Sequence, residues 1–279
     1  MPTIHPTAIV DRECDLADDV EIGPWCRLEG KVTLHSRVRL LSHVVVQGPA
    51  TIGEDSTLYP FVTVGHPPQD FKFKPGAPTA GVVVGSACVI REQSSIHSAS
   101  NDHTPTRVGS NVYMMVNAHV GHDADVGNNV VMVNNTALGG HAKVGDLVTI
   151  GGGAMVHQHC RVGRLAFLAG FTANTCDVPP FCTTIDRSRL VGINVVGLRR
   201  SGMPRDHITR VRTAYRLAFA VAVTRARMLE ILDELADGCP PVAEMADFVR
   251  TAKKPVAIGR QARHAGLHAG AESGMISDH

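Results

Sequence analysis

The feature that most constrains the fold of this chain is an aliphatic residue or methionine at every sixth position. The series runs from Ile4 to Val64, resumes over 84–96, and continues from Val108 to Leu168. A period of six fits neither the 3.6-residue repeat of an α-helix nor the alternation of a simple β-strand. It is typical of a parallel β-helix, in which each hexad forms one flat side and three hexads close one coil.

Glycine often follows the aliphatic residue, at the second position of the hexad. A residue without a Cβ suits a corner where the backbone needs conformations that other residues resist. We therefore interpret this position as the corner, and the glycines found there are Gly23, Gly53, Gly65, Gly85, Gly109, Gly121, Gly127, Gly139, Gly145, Gly151 and Gly163.

Composition agrees with a narrow β-helix and limits the possible functions. Of the 279 residues 44% are hydrophobic and only 4% aromatic, which suits an interior of stacked Val, Ile and Leu. A net charge of +1 gives no indication of nucleic-acid binding. The seven cysteines form no CxxC pair, the N-terminus carries no recognisable secretory signal, and no apolar run reaches the roughly 20 residues of a membrane span. We expect a soluble, cytoplasmic protein with no membrane insertion and no nucleic-acid partner.

The hexads predict a β-helix over residues 1–190 with two interruptions. These are insertions at 65–83, rich in Pro, Lys and aromatic residues, and at 97–107, where Asp102 replaces an aliphatic residue. A regular β-helix needs no protruding loops, so both insertions are candidate functional elements.

A small α-helical C-terminal domain is predicted over residues 191–258. Apolar residues at helical spacing indicate one helix from Ile208 to Leu235, and a second helix is expected over 242–251. The remaining residues, 259–279, lack periodicity and are predicted to be disordered.

Residues eighteen apart should stack on neighbouring coils, about 4.8 Å from each other. This rule gathers histidines, one carboxylate, one amide and several glycines into one surface patch. The first column is His122, Gly140 and Gln158, the next is Asp123, His141 and His159, and the corner positions are His97, Gly121, Gly139 and His157.

That patch has the groups needed for acyl transfer to a hydroxyl or an amine. A histidine can accept the proton of the attacking group, and a neighbouring carboxylate can fix its tautomer. A glycine N–H on the next coil can stabilise an oxyanion. Because no Ser or Cys is placed as a covalent nucleophile, direct attack on a thioester is the simpler route. A zinc site built from His97, His119 and His122 is the competing hypothesis.

The segment from Arg199 to Leu229 is strongly basic, with Asp206 as its single acid. One interpretation is a solvated helix face, and the other is a docking surface for an anionic partner such as an acidic carrier protein. Lys72 and Lys74 of the first insertion could extend that surface. The arginines are Arg199, Arg200, Arg205, Arg210, Arg212, Arg216, Arg225 and Arg227.

The chain resembles the acyl-(acyl-carrier-protein)–UDP-N-acetylglucosamine O-acyltransferases, the first enzymes of lipid A synthesis. The match covers roughly residues 1–255, and its motifs keep their order. They are His5-Pro6-Thr7-Ala8, Gly65-His66-Pro67-Pro68-Gln69-Asp70-Phe71-Lys72, Asn117-Ala118-His119-Val120-Gly121-His122-Asp123, Leu138-Gly139-Gly140-His141, Val156-His157-Gln158, Gly192-Ile193-Asn194 and Gly197-Leu198-Arg199-Arg200.

The resemblance implies a left-handed β-helix with a helical C-terminal domain, assembled as a homotrimer with active sites between subunits. It implies that His122 is the general base for the glucosamine 3-hydroxyl, that Asp123 orients it, and that the Gly140 N–H forms the oxyanion hole. The donor would be acyl carrier protein, the acceptor a nucleotide sugar, and no cofactor or metal would be needed. The residues implied to bind substrate are Asp70, Lys72, His97, His141, His157, Gln158, Gly170, Asn194 and Arg200, with Gly170 at the position that measures acyl-chain length.

The sequence departs from the family pattern at several places. Val196 stands where the family has Glu, Ser201 where it has Arg, Ser98-Ala99-Ser100 where it has Arg-Gly-Thr, and 185–188 replaces a Gly-Asn segment. These changes suggest an altered substrate rim around an intact catalytic column. The alternatives that follow are N-acylation of an amino-sugar nucleotide, a zinc hydratase on the same scaffold, and a carrier-binding protein without catalysis.

Overall fold

A computed structural model of the chain describes residues 1–259. It confirms the fold class, a left-handed parallel β-helix followed by a few helices. The predicted disordered tail, 259–279, lies outside the described residues except for Gly259, whose N–H donates to Phe219 O at 2.7 Å.

Three flat sheets form the sides of the β-helix, and their strands are short. The first sheet contains Thr3–Ile4, Glu21–Ile22, Arg39–Leu40, Thr57–Leu58, Val89–Ile90, Tyr113–Met114, Val131–Met132, Thr149–Ile150, Phe167–Leu168, Cys182–Ile185 and Arg189–Ile193. The second contains Ile9–Val10, Arg27–Glu29, Val45–Gln47, Thr63–His66, Ser95–His97, His119–Val120, Ala137–Leu138, Met155–Val156 and Ala173–Asn174. The third contains Asp15–Leu16, Val32–Leu34, Ala50–Ile52, Val82–Val84, Thr106–Val108, Asp125–Val126, Lys143–Val144 and Arg161–Val162.

From Ile22 onward the sixth-position aliphatic residues fill the interior. Each one pairs in register with its counterpart on the next coil, as Val120 does with Leu138 and Leu138 with Val156. The core therefore consists of Val, Ile, Leu and Met that are almost fully buried. Both insertions leave this register intact, because Val64 still pairs with Ile96 and Ile96 with Val120. The chain outside the strands at these points is 67–81 and 98–105.

The corners are built differently from what the glycine pattern suggested. From Trp25 onward the residue with a left-handed conformation is, in most hexads, the fourth, for example Asp123 with φ 58° and His141 with φ 60°. Among the second-position glycines only Gly65 has a positive φ. Glycine is needed there because the next coil approaches closely, since a Cβ on Gly139 would lie 2.7 Å from the backbone N of Gln158. The interpretation of this glycine as a conformational requirement was therefore wrong, and close approach explains it.

Between residues 191 and 259 the structure contains four α-helices, α1 (Val195–Arg200), α2 (Arg205–Ala214), α3 (Arg225–Ala236) and α4 (Pro240–Arg250). The single helix predicted from Ile208 to Leu235 is wrong, because α2 ends in a π-helical turn, Tyr215–Phe219, and α3 begins anew. The Thr224 side chain accepts a hydrogen bond from Arg227 N and so caps α3, a signal that helical spacing alone does not reveal. Within residues 1–259 no helix combines the length and apolarity that crossing a membrane would require.

One salt bridge and one cation–π contact hold α4 against the last coils of the β-helix. Arg161 lies 4.2 Å above the Phe248 ring, and its Nε donates to the buried carboxylate of Asp177 at 2.8 Å. Arg164 pairs with Glu244 of α4 at 2.7 Å. The helices thus hold a defined position next to the coils that carry the histidine patch.

Candidate active site

The centre of the histidine patch is a hydrogen-bonded pair formed by His122 and Asp123. Both follow the strand His119–Val120, and the left-handed φ of 58° at Asp123 turns the two adjacent side chains toward each other. His122 Nδ1 lies 2.6 Å from Asp123 Oδ2, and the side chains are only 14% and 6% exposed. A buried carboxylate in this position holds the imidazole ring in one orientation.

Asp123 is held by the second insertion as well as by His122. Its Oδ1 accepts from the Ser100 N–H at 3.0 Å and from Asn101 Nδ2 at 2.7 Å, and its Oδ2 accepts from Ser100 Oγ at 2.6 Å. Burial by itself raises the pKa of the Asp123 carboxyl, but the hydrogen bonds from His122 and Ser100 outweigh burial and hold that pKa well below its usual value. Asp123 is therefore an anion at neutral pH. An anion only accepts, so His122 Nδ1 is the donor in this hydrogen bond, and Nε2 is the ring nitrogen that can act as a base.

Gly140 lies directly against the free nitrogen of His122. A Cβ built on Gly140 would be 2.5 Å from His122 Nε2, so only glycine leaves room for this ring. Within residues 1–259 the Gly140 N–H donates to no protein acceptor, whereas the equivalent amides of Ser110 and Asn128 on another corner donate to Asn128 Oδ1 and Asp146 Oδ1. An unpaired amide beside a basic nitrogen is the arrangement that an oxyanion site requires.

His97 and His119 form a second pair beside His122, with ring centroids 5.2 Å apart. His97 Nδ1 lies 2.7 Å from Pro67 O, so it donates and leaves Nε2 free, while His119 Nδ1 lies 2.8 Å from Ser95 Oγ. Burial lowers the pKa of His119 to about 4, and the neighbouring His97 and His122 add to this. Burial also lowers the pKa of His97, although the bond to Pro67 O opposes it. Both rings are therefore neutral at physiological pH.

His97, His119 and His122, the trio considered as a zinc site, lie along one groove but do not form a group whose ligand atoms are all within 4.8 Å of one another. In the described part of the chain, the possible metal ligands that do lie this close together are His122, Asp123 and His141. Asp123 in this group is already engaged by Ser100 and Asn101. The geometry thus favours the predicted general base over the competing zinc hypothesis.

His141 and His159 extend the site along the corner. Their rings stack with centroids 4.5 Å apart and an interplanar angle of 9°, and His141 Nε2 lies 3.5 Å from Asp123 Oδ2. Burial lowers the pKa of His159, and His141 contributes as a second cause. The predicted column of Asp123, His141 and His159 is therefore a continuous stack of side chains.

A groove of about 430 Å³ runs from the His122 region along the second sheet. Its polar side contains Gln69, His97, His157 and Gln158, and its floor is apolar. Three consecutive strands supply the outward-facing floor residues, because Ala137 pairs with Met155 and Met155 with Ala173. The groove can therefore receive a molecule with one polar and one apolar part.

Some residues implied to bind substrate lie outside the lining of this groove. Asp70 and Lys72 are in the first insertion, where the Lys72 N–H donates to Asp70 Oδ1 at 2.9 Å. Gly170 is at another corner, after the first sheet, and Arg200 ends α1. Asn194 is occupied as the N-cap of α1, since its Oδ1 accepts from Gly197 N at 3.0 Å and its Nδ2 donates to Leu165 O at 2.9 Å.

The altered segment Ser98-Ala99-Ser100 does not form a substrate rim. Ser98 and Ala99 are fully buried, and Ser98 Oγ donates to His66 O at 3.1 Å. Ser100 and Asn101 contact Asp123 from behind the pair. The sequence did not predict the contacts of Ser100 and Asn101, because an insertion follows no repeat from which contacts could be deduced. The groove residues Ala137 and Met155 were missed as well, although the eighteen-residue rule could have found them.

Fold and site together define a hexapeptide-repeat acyltransferase. Residues 177–257 match the family model described as Udp N-acetylglucosamine O-acyltransferase, Domain 2. The chain is 43% identical over 254 residues to the acyl-(acyl-carrier-protein)–UDP-N-acetylglucosamine O-acyltransferase of Mesorhizobium japonicum, covering 90% of each chain. It is 49% identical over 248 residues to the Azorhizobium caulinodans enzyme of the same name, covering 88% of this chain and 91% of that one.

Solved structures agree with these relatives. The UDP-N-acetylglucosamine acyltransferase of Francisella novicida superposes with a TM-score of 0.87 at 28% identity, over 95% of this chain and 100% of that one. The UDP-N-acetylglucosamine O-acyltransferase of Moraxella catarrhalis gives a TM-score of 0.85 at 32% identity, over 91% and 99%. The chain belongs to the acyl-(acyl-carrier-protein)–UDP-N-acetylglucosamine O-acyltransferase family.

Proposed function

We propose that the protein transfers a fatty acyl group, such as a 3-hydroxyacyl group, from acyl carrier protein to the 3-hydroxyl of UDP-N-acetylglucosamine or a related nucleotide sugar. The observation that carries this proposal is His122, whose ring is fixed by Asp123 while its Nε2 faces Gly140. The names of the relatives supply the donor and the acceptor.

The chemistry follows from these three residues. His122 Nε2 accepts the proton of the sugar hydroxyl as the oxygen attacks the thioester carbonyl. The tetrahedral oxyanion accepts a hydrogen bond from the Gly140 N–H, and Asp123 stabilises the imidazolium. When the intermediate collapses, the carbon–sulfur bond breaks and the leaving thiolate takes the proton back from His122. The products are an O-acyl sugar and the free carrier thiol.

The two sides of the groove suit the two substrates. The apolar floor of Ala137, Met155 and Ala173 would receive the acyl chain, because burying apolar surface favours binding. The imidazoles of His97 and His157 and the amide of Gln158 would hold the polar nucleotide sugar. Asp70, Lys72 and His141 would contact it from the insertion and the corner.

A homotrimer would complete the site. Gly170 cannot reach the groove of its own chain from another corner, but a neighbouring copy could bring it there. Phe171 beside it is 90% exposed, and Trp25 and Phe61 on the same corner are 61% and 55% exposed. Large exposed apolar side chains along one edge are typical of a subunit interface.

The basic C-terminal segment would dock the acidic carrier. Some of its arginines are structural, since Arg210 donates to Leu235 O at 2.8 Å and Arg227 to Glu230 at 3.0 Å. Arg199, Arg205 and Arg212 instead line one cavity of about 680 Å³. These three, with Arg200 nearby, are the candidates for carrier recognition.

The test is to incubate the protein with acyl-carrier thioesters and UDP-N-acetylglucosamine and to follow product mass. We expect an O-acyl product, and we expect His122→Ala to lower kcat by about a hundredfold or more, the usual range for removing a general base. The absence of turnover with any hydroxylated nucleotide sugar would overturn the proposal, as would a fully active His122→Ala variant. An amide product formed only from an amino-sugar nucleotide would replace O-transfer by N-transfer.

A further inference from the structure

The back of the His122–Asp123 pair is closed by the second insertion rather than by the β-helix. Three donors from this insertion reach the Asp123 carboxylate, the Ser100 N–H at 3.0 Å, Ser100 Oγ at 2.6 Å and Asn101 Nδ2 at 2.7 Å. Together with His122 Nδ1 they direct four hydrogen bonds to two oxygens that are almost inaccessible to solvent. The carboxylate therefore has no freedom to rotate.

The donors are themselves fixed. Asn101 Oδ1 accepts from the N–H of Thr104 at 2.7 Å and of His103 at 3.1 Å, so the side chain that holds Asp123 also closes its own loop. The backbone O of Asn101 accepts from Ala80 N at 2.6 Å. The loop thus has a shape that is set before substrate arrives.

The two insertions form one folded unit. Thr79 Oγ1 donates to Ala99 O at 2.6 Å, and His97 Nδ1 donates to Pro67 O at 2.7 Å. The first insertion carries Gln69 in the groove lining. A continuous set of hydrogen bonds therefore joins the loop that faces the substrate to the loop that holds Asp123.

We propose that Ser100 and Asn101 are positioning residues for the proposed acyl transfer. They act through Asp123, whose carboxylate they aim at His122 Nδ1, and they contact neither substrate. This inference rests on the proposed function. The Ser100 hydroxyl matters most, because it bonds the same oxygen, Oδ2, that His122 uses. Without it, Oδ2 could turn away from the imidazole and the ring would lose its fixed orientation.

The expected effect follows from the strength of hydrogen bonds to charged groups. Ser100→Ala should lower kcat about tenfold or more with little change in KM for the nucleotide sugar. Ser100→Thr keeps the hydroxyl and should restore most of the activity. Asn101→Ala should lower kcat too, but it also loosens the loop, so Ser100 is the cleaner position.

Ser98→Ala is the matched control. It removes a hydroxyl from the same buried loop, but Ser98 Oγ donates to His66 O and does not touch Asp123. Its kcat should stay close to that of the wild type. If Ser98→Ala lowered kcat as much as Ser100→Ala, general loosening of the loop would explain both and the inference would fail.

The decisive measurement is a double-mutant cycle with Asp123→Asn. If Ser100 acts through the carboxylate, Ser100→Ala should have almost no further effect on kcat once Asp123 is replaced. Additive losses in the double variant would overturn the inference, and so would a Ser100→Ala variant with wild-type kcat. A wild-type protein without acyl-transfer activity would contradict the proposed function instead, so the two failures are distinguishable. Thermal unfolding of each variant checks that the fold is retained.

Discussion

At the scale of single residues, the site depends on the His122 imidazole packing against the backbone of a glycine, Gly140. A Cβ on Gly140 would lie 2.5 Å from His122 Nε2 and 2.6 Å from Cε1, well inside van der Waals contact. The ring would have to swing away from the Gly140 amide and from Asp123. The proposed base and the proposed oxyanion donor would then no longer meet at one point.

We therefore predict that Gly140→Ala lowers kcat by about a hundredfold or more, the range found when an oxyanion donor is lost or misplaced. Steady-state kinetics with acyl carrier protein thioesters measures this. Gly152→Ala is the control, because Gly152 holds the same hexad position two hexads later, and a Cβ there would meet Val133 Cγ1 only at 3.5 Å. Equal activities of the two variants would contradict the tight packing at His122.

The column of His122 and Gly140 could be predicted from the sequence because stacking in a β-helix depends only on counting. Once three hexads close a coil, residue 140 must lie next to residue 122, as observed. Ser100 and Asn101 could not be found in this way, since an insertion follows no repeat and its contacts depend on loop folding. The substrate role of Asn194 stays a prediction, and the capping of α1 by its side chain was not foreseen from the sequence.

At the scale of elements, the second sheet forms the floor of a groove that leads away from the His122–Asp123 pair. Its outward positions run His119, Ala137, Met155 and Ala173 in register. Met155 stands between two alanines and is 55% exposed. It is thus the largest side chain on the apolar floor, and it restricts the depth of the groove at its centre.

We predict that Met155→Ala shifts the preference among acyl donors toward longer or bulkier chains. Removing the Met155 side chain deepens the floor, and apolar pockets discriminate about tenfold or more per methylene. The measurement is kcat/KM for a series of acyl-carrier thioesters of increasing length. Ile9→Ala serves as the control, since Ile9 is an exposed residue at the same hexad position of the same sheet but outside the groove. An unchanged length preference in Met155→Ala would show that the acyl chain lies elsewhere.

The helical elements show the limit of pattern reading at this scale. Hexads predict strands well because the aliphatic residue must face a narrow interior on every side of every coil. The helices obey weaker constraints, so the break between α2 and α3 and the short helix α1 were not anticipated. In both places a single capping side chain, Thr224 or Asn194, starts the new helix.

At the scale of the whole molecule, the single chain leaves its groove open and its apolar edge uncovered. Three of the exposed aromatic residues, Trp25, Phe61 and Phe171, lie at the fourth position of hexads in the first sheet, on one corner. Gly170 lies beside Phe171, and a Cβ there would meet Gly152 O at 3.2 Å and little else. A large side chain at 170 would therefore project outward, toward the neighbouring copy of the proposed trimer.

The proposed trimer can be tested by combining two inactive variants in one assembly. If each site combines His122 of one subunit with Gly170 of the next, His122→Ala and Gly170→Trp should each be inactive on long acyl donors. Co-expressed with two different tags and purified through both, the mixed trimers should regain activity. Around a three-fold axis every mixed trimer has one interface of three with both native residues, so about one third of wild-type activity is expected. Activity of the mixed trimers no higher than that of the parent variants would mean that each chain builds its site alone.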